Sequence, residues 1–266
     1  MSRPNAEPVP HIRDLFSLKD RVAIVTGGSR GLGLEIAHGL GEAGARVMIA
    51  ARRPEWLEAA AAELTAAGID TRARACDVTV AEQADLLVQA VVTEFGRLDI
   101  LVNNAGVSWG APFEEMPLER WRQVLETNVT GTFLLTRAGL PAMKARGYGK
   151  IINMASVMGL IGIAPEIVEA SGYAASKGAV IALTRDLAVK YARFGIRVNA
   201  IAPAFFPTRM SEGVLARVGA QVAAATPLGR LGQPGEIKGV AVFLASGASD
   251  YMTGQVLCVD GGLTAA

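Results

Sequence analysis

The stretch Val22-Ala-Ile-Val-Thr26-Gly27-Gly28-Ser29-Arg30-Gly31-Leu32-Gly33 decides the fold. It opens with a short apolar run that is continuous, not alternating, as a strand buried on both faces of a sheet requires. Glycines at 27, 31 and 33 follow at once, and a helical pattern runs on from Leu32 to Ala43. Glycine at these places lets the backbone turn tightly and approach a pyrophosphate, which the free N–H groups and dipole of the helix N-terminus hold. Strand, glycine turn and helix in this order read as a dinucleotide loop made of Gly27, Ser29, Arg30, Gly31, Leu32 and Gly33, and less well as an ordinary turn.

The same rhythm continues outward. Apolar runs at Val47–Ala50, Ile100–Val102, Ile151–Met154, Val198–Ile201 and Val256–Val259 predict further strands, and Thr71–Cys76 adds a seventh. Helical patterns over Leu32–Ala43, Pro54–Ala67, Ala81–Phe95, Leu118–Arg146, Gly172–Phe194 and Pro234–Ala245 separate them. This alternation predicts an α/β fold: a Rossmann-like, doubly wound, seven-stranded parallel sheet with helices on both faces. Residues 1–19, with Pro4, Pro8 and Pro10, are aperiodic and read as an arm that is disordered or lies against a neighbouring subunit; residues 20–266 read as one oxidoreductase domain.

Composition narrows the function. The 266 residues are 51% hydrophobic and carry a net charge of +1, which supports a large core and gives no footprint for nucleic acid, so the expected partner is a small molecule. No apolar run approaches a membrane span and no signal-like segment opens the chain, so a cytoplasmic protein is expected. Cys76 and Cys258 lack the spacing of a redox or metal pair and read as buried thiols. With only His11 and His38 available, a histidine-built metal site is not expected.

Two side-chain patterns carry chemistry. An acidic residue about 20 positions beyond the glycine loop would bind a ribose diol, but the second strand ends Ala51-Arg52-Arg53. Guanidiniums there suit a 2′-phosphate, so NADP(H) is expected in preference to NAD(H), with Arg52 and Arg30 as its partners; Arg53, beside Pro54, reads equally as a solvated residue at a helix start. Tyr173 and Lys177 stand four apart and share one face of a helix. The lysine ammonium and an oxidised nicotinamide would both favour the phenolate of a tyrosine that ordinarily titrates near 10.

The glycine spacing TGxxxGxG, Asp77 after the third strand, Asn103-Asn104-Ala105-Gly106, Asn128, Ser156, Tyr173-Ala-Ala-Ser-Lys177, Pro203–Thr208 and Val259-Asp260-Gly261-Gly262 occur in the order found in the short-chain dehydrogenase/reductase family, which the chain resembles from about Arg21 to Ala265. The resemblance implies hydride transfer between a nicotinamide and a carbonyl carbon, with Tyr173 as proton donor, Ser156 polarising the carbonyl, and Lys177 holding the nicotinamide ribose. It implies that Asn128 positions a water in a proton relay. Asp77 and Val78 would border the adenine, and Asn104, Ala105 and Gly106 would line the cofactor path. Pro203, Ala204, Phe206 and Thr208 would belong to a loop closing over the nicotinamide. The family pattern has glycine where this chain has Ala204, which raises the question of strain at a positive φ. Asn103 reads as a satisfier of buried backbone groups, and Asn199 as a brace of the sixth strand.

Two substrate classes follow from the resemblance: 3-oxoacyl thioesters, and sugar acids as in gluconate 5-dehydrogenases. Trp109, Met158, Phe205, Phe206 and Met210 are candidates for an apolar pocket and Arg209 for a substrate carboxylate, and the loop holding Pro165-Glu-Ile-Val-Glu169 for its wall. A catalytically silent NADP(H)-binding sensor is the rival of another class; the intact set Asn128, Ser156, Tyr173 and Lys177 argues for an enzyme. The family implies a homotetramer, with the helices around 118–146 and 172–194 across one two-fold axis.

Overall fold

The computed structural model describes residues 9–266. Its strands are β1 (Val22–Thr26), β2 (Arg46–Ala51), β3 (Thr71–Ala75), β4 (Ile100–Asn103), β5 (Gly149–Met154), β6 (Ile196–Pro203) and β7 (Val256–Val259). All pair in parallel, in the order β3-β2-β1-β4-β5-β6-β7, so the doubly wound Rossmann-like sheet read from the sequence is the observed one. The order reverses between β1 and β4, and a crevice opens at such a switch point beyond the strand C-termini. The helices are α1 (Ile12–Phe16), α2 (Gly31–Glu42), α3 (Pro54–Ala66), α4 (Ala81–Phe95), α5 (Leu118–Leu125), α6 (Gly131–Arg146), α7 (Ser171–Tyr191), α8 (Glu212–Ala225) and α9 (Lys238–Ala245).

The continuous apolar runs have the expected cause. Every residue of β1, β4 and β5 is buried, because helices cover both sides. On one face Ile36 and Leu40 of α2, Leu57 and Leu64 of α3 and Leu244 of α9 pack on the sheet. On the other, Leu87 and Val91 of α4, Leu135 and Met143 of α6 and Ala188 of α7 do so. The edges differ: β3 buries only Thr71, and β7 buries none of its residues fully. This corrects the reading of Cys258, which lies on the β7 edge and is exposed, whereas Cys76 is buried.

Other differences have local reasons. Pro4 and Pro8 of the arm lie outside the described residues; of the rest, residues 12–18 are placed against the body of the chain. Leu18 is buried and its N–H donates to Ala43 O at 2.8 Å, while Phe16 meets Phe243 of α9 at a ring separation of 6.2 Å. The single long helix read over 118–146 is broken into α5, a π-turn over Glu126–Thr130, and α6. α8 escapes the apolar periodicity because Val222 is its one buried residue. Ala204 is not strained: among the described residues Asp20 is the one non-glycine with positive φ.

At the opposite end of the strands from the crevice, the wholly buried carboxylate of Asp99 accepts from Val22 N–H at 3.0 Å and from Arg97 Nε and Nη2 at 2.6 Å each. It ties the start of β1 to the start of β4. Removing one partner of such a buried network leaves the other groups unpaired, so Asp99→Ala should lower the unfolding free energy by about 3 kcal/mol, read as a shifted urea midpoint.

Candidate active site

All the candidates for cofactor contact and, apart from Asn128, those for catalysis line one cleft of about 790 Å³ at the C-terminal ends of the strands. Strand register explains the convergence. Val25 lies opposite Val102, so the loops leaving β1 and β4 run side by side. Thr26 Oγ1 accepts from the N–H groups of both Asn104 and Ala105 at 3.1 Å, and Asn104 Nδ2 donates back to Thr26 O at 2.9 Å and Gly27 O at 3.2 Å. The glycine loop is thereby latched to β4. A Cβ at Gly33 would stand 2.3 Å from Asn104 Nδ2, so no side chain fits, while Gly27 needs its φ of +63°.

Asn103 does not serve backbone groups. Its Nδ2 donates to Asn153 Oδ1 of β5 at 2.9 Å and to Thr136 Oγ1 of α6 at 3.0 Å. Asn153 Nδ2 in turn donates to Thr184 Oγ1 of α7 at 2.9 Å. This buried line crosses two strands and ends on the face of α7 that carries Tyr173, Lys177, Val180 and Thr184, so it fixes how α7 is rotated against the sheet. Asn199 does brace its strand: it donates to Met252 O at 3.1 Å and accepts from Gln255 N–H at 3.0 Å.

Ser156 stands two residues beyond the end of β5, where it caps a short helical turn and accepts from Met158 N–H at 3.2 Å. It also shares a hydrogen bond with the Tyr173 hydroxyl. Lys177, buried, donates from Nζ to Met154 O at 2.6 Å and stands 5.4 Å from the Tyr173 ring centroid. Burial pushes the tyrosine above its ordinary value, only partly opposed by the Ser156 hydrogen bond. Burial also takes Lys177 from 10.5 down to about 8. Loss of water thus favours the protonated phenol in the protein alone.

Asn128 sits behind the cleft, in the π-turn. Its Oδ1 accepts from Val107 N–H at 2.8 Å, and its Nδ2 donates to Val107 O and to Ser176 Oγ, each at 2.9 Å. Thr132 Oγ1 donates to its main-chain carbonyl at 2.8 Å. A Cβ on Gly106 would stand 3.2 Å from Asn128 Oδ1 and 3.7 Å from Lys177 Nζ, which shows how closely the loop after β4 meets both. π-Turns often occur where a helix must redirect its groups at a functional site.

At the cofactor end, the guanidinium carbons of Arg30 and Arg53 lie 3.7 Å and 4.2 Å from the ring centroid of Trp56, and that of Arg209 lies 5.2 Å away. Burial and the charges of Arg209, Arg53 and Arg52, in that order, press the Arg30 guanidinium down. Asp77 turns its carboxylate to Thr79, accepting from N–H at 3.0 Å and from Oγ1 at 2.7 Å. Met158, Phe205, Phe206 and Met210 line the cleft, as do Val168 and Val214; Trp109 stands outside it. Sequence reasoning missed Thr136, Asn153, Ser176, Thr184 and Trp56. The signal for Asn153 was an amide inside an apolar strand; Thr184 and Ser176 gave none apart from their helical phase to Tyr173.

A family model described as enoyl-(acyl carrier protein) reductase matches residues 27–264. The chain is 41% identical to a gluconate 5-dehydrogenase of Gluconobacter oxydans over 256 residues, which span 94% of this chain and 97% of that protein. It is 43% identical to a rhamnolipid-biosynthesis 3-oxoacyl-acyl-carrier-protein reductase of Pseudomonas aeruginosa over 253 residues, 93% and 97% of the two chains. A crystal structure of a gluconate 5-dehydrogenase from Burkholderia cenocepacia, in complex with NADP and tartrate, superposes with a TM-score of 0.91 at 38% identity, covering 96% of this chain and 100% of that one. Glycine loop, acid–base helix and likeness along nearly the whole length agree, and the chain belongs to the short-chain dehydrogenase/reductase family of oxidoreductases.

Proposed function

We propose that the chain reduces a ketone to a secondary alcohol, and the reverse, with NADP(H) as its cofactor and Tyr173 as proton donor. The convergence of Ser156, Tyr173 and Lys177 beside a cleft with a pyrophosphate loop carries the reading. The glycine cradle, into which a Cβ does not fit at Gly33, and the arginines around Trp56, with no carboxylate ending β2, suit a phosphorylated dinucleotide. NADPH, when bound, supplies the hydride.

The chain's own residues do the rest. Burial keeps the Tyr173 phenol protonated, ready to give its proton to the alkoxide that develops on the former carbonyl. Ser156 donates a second hydrogen bond to that oxygen, a preorganised dipole aimed where charge appears. Lys177 stabilises the phenolate left on Tyr173 and offers hydrogen bonds to the nicotinamide ribose. Asn128 holds the loop after β4 against α7 and, as the family resemblance implies, positions a water in the proton relay toward Lys177. Tyr173→Phe should keep cofactor affinity and lose at least about a thousandfold in kcat, within the range that acid–base groups supply.

The cleft that holds Ser156 is also lined by Met158, Val168, Phe205, Met210 and Val214, which supports a carbonyl compound with an apolar flank, 3-oxoacyl-like. A sugar-acid substrate such as 5-ketogluconate is the second reading, favoured by the gluconate dehydrogenases among the similar proteins. Acetoacetyl thioesters and 5-ketogluconate, offered separately with NADPH to purified protein, decide between them by kcat/KM.

Placing Lys177 costs stability. In the unfolded chain the amine titrates at 10.5 and in the folded protein at about 8, so between these values the unfolded state binds more protons and stability rises with pH. The full penalty, about 3 kcal/mol, applies below pH 8. Lys177→Met should therefore abolish turnover yet raise the urea midpoint at pH 7, with the gain fading by about pH 10.5 as the lysine in the wild type loses its charge in both states.

A homotetramer accords with Leu118, Phe133 and Val189, large apolar side chains left exposed on α5, α6 and α7. Light scattering at micromolar concentration should return four times the mass of 27.8 kDa. Among the described residues, no helix is long and apolar enough to cross a membrane.

A further inference from the structure

The segment between β6 and α8 roofs the cleft, since Phe205, Thr208, Arg209, Met210 and Ser211 all line it. It is tightly made. The Ser211 hydroxyl gives its one proton to Phe206 O at 2.5 Å and accepts from Thr208 N–H at 3.0 Å, so the turn is closed on itself. Thr208 rests on the glycine loop, where a Cβ at Gly31 would stand 3.6 Å from Thr208 Cγ2. From this turn Arg209 does not reach toward Ser156 and Tyr173. It lies toward the aromatic plate of Trp56, 5.2 Å from its centroid, on the side of the cleft that holds Arg30 and Arg53.

The cluster lacks a counter-charge. Among the described residues Arg30, Arg52, Arg53 and Arg209 have no carboxylate within 4.0 Å; isolated arginines such as Arg74 and Arg146 share this, but these four line one cleft together. Like charges gathered from three separate segments repel one another unless an anion sits among them. The cations come from the glycine loop, the junction of β2 and α3, and the roof.

We propose that Arg209 is a specificity-determining residue for the cofactor, not a substrate ligand: it pairs with the 2′-phosphate and stacks toward Trp56, so that the phosphate ties the roof of the site to the glycine loop. This rests on the NADP(H) reading above and extends it. A phosphate-bearing cofactor then holds the roof in the position the structure shows, and the roof carries Phe205 and Met210, which line the cleft. Recognition of one phosphate thus shapes the pocket at the far end of the cofactor. A cofactor without the phosphate makes the other contacts but leaves Arg209 unpaired.

Dissociation constants for NADPH and NADH, measured by calorimetry on the intact protein and its Arg209→Ala variant, test this without turnover. The wild type should prefer NADPH; the variant should bind NADPH about tenfold more weakly and NADH with unchanged affinity. Substrate KM in Arg209→Ala should rise when NADPH is the cofactor and stay level when NADH is. A variant that keeps full NADPH preference, or whose substrate KM rises equally with both cofactors, overturns the proposal and returns Arg209 to the substrate. A wild type that binds NADH as tightly as NADPH overturns the NADP(H) reading itself, an outcome distinct from both. Full recovery of NADPH affinity in Arg209→Lys, which keeps the charge but has no planar group to lay on Trp56, would remove the stacking from the account.

Discussion

A line of buried amides and hydroxyls, from Asn103 through Asn153 to Thr184, is the constraint on which the acid–base site depends. Apolar packing alone would hold α7 against the sheet but tolerate small rotations, because methyl groups slide past one another at little cost. An amide that must meet a hydroxyl at 2.9 Å in a dry interior does not tolerate them. The rotation that satisfies Thr184 is also the one that turns Lys177 and Tyr173 toward the end of β5, where Ser156 stands. Asn103 Oδ1 remains without a partner, a residual cost of threading polar groups through the core.

Around this frame the site works by withholding water. The same burial that raises Tyr173 lowers Lys177, so the two shifts oppose each other and leave a neutral acid beside a cation that is readily lost. Of the two, Lys177 bears the cost in the chain alone, because burial penalises its charged form, whereas the neutral Tyr173 phenol is the form that burial favours. At the far end of the cleft the situation is reversed, with exposed guanidiniums crowded around one indole and no acid to meet them. One end of the cleft is short of solvent and the other short of negative charge.

Much of this was legible in the residues. Continuous apolar runs could only be strands covered on both sides, and the glycines after Val25 fixed where the first loop must go. Tyr173 and Lys177 shared a helical face by arithmetic. What resisted was set by neighbours distant in the chain. The π-turn at Asn128 leaves no mark in hydrophobic periodicity, because its residues remain compatible with a regular helix. α8 turns almost nothing inward, so it has no apolar stripe to read, and the exposure of Cys258 follows from β7 being last in the sheet, which composition cannot tell. The placement of Arg209 5.2 Å from the Trp56 ring follows from Thr208 resting on the glycine loop, a contact between segments far apart in the chain.

The hydrogen bonds of Asn128 also have a direction. Its amide nitrogen gives to Ser176, whose hydroxyl proton is already committed to Tyr173 O at 2.7 Å, and the same nitrogen gives to Val107 O while the amide oxygen receives from Val107 N–H. Every link runs one way, and a carboxylate of identical shape would set oxygen against oxygen at Val107 and at Ser176. The position therefore calls for a side chain that both gives and receives, a demand of grammar as much as of size. Asn128 is needed less for any proton it handles than for the sense in which it joins two segments, and the backbone of the proton donor is where that sentence ends.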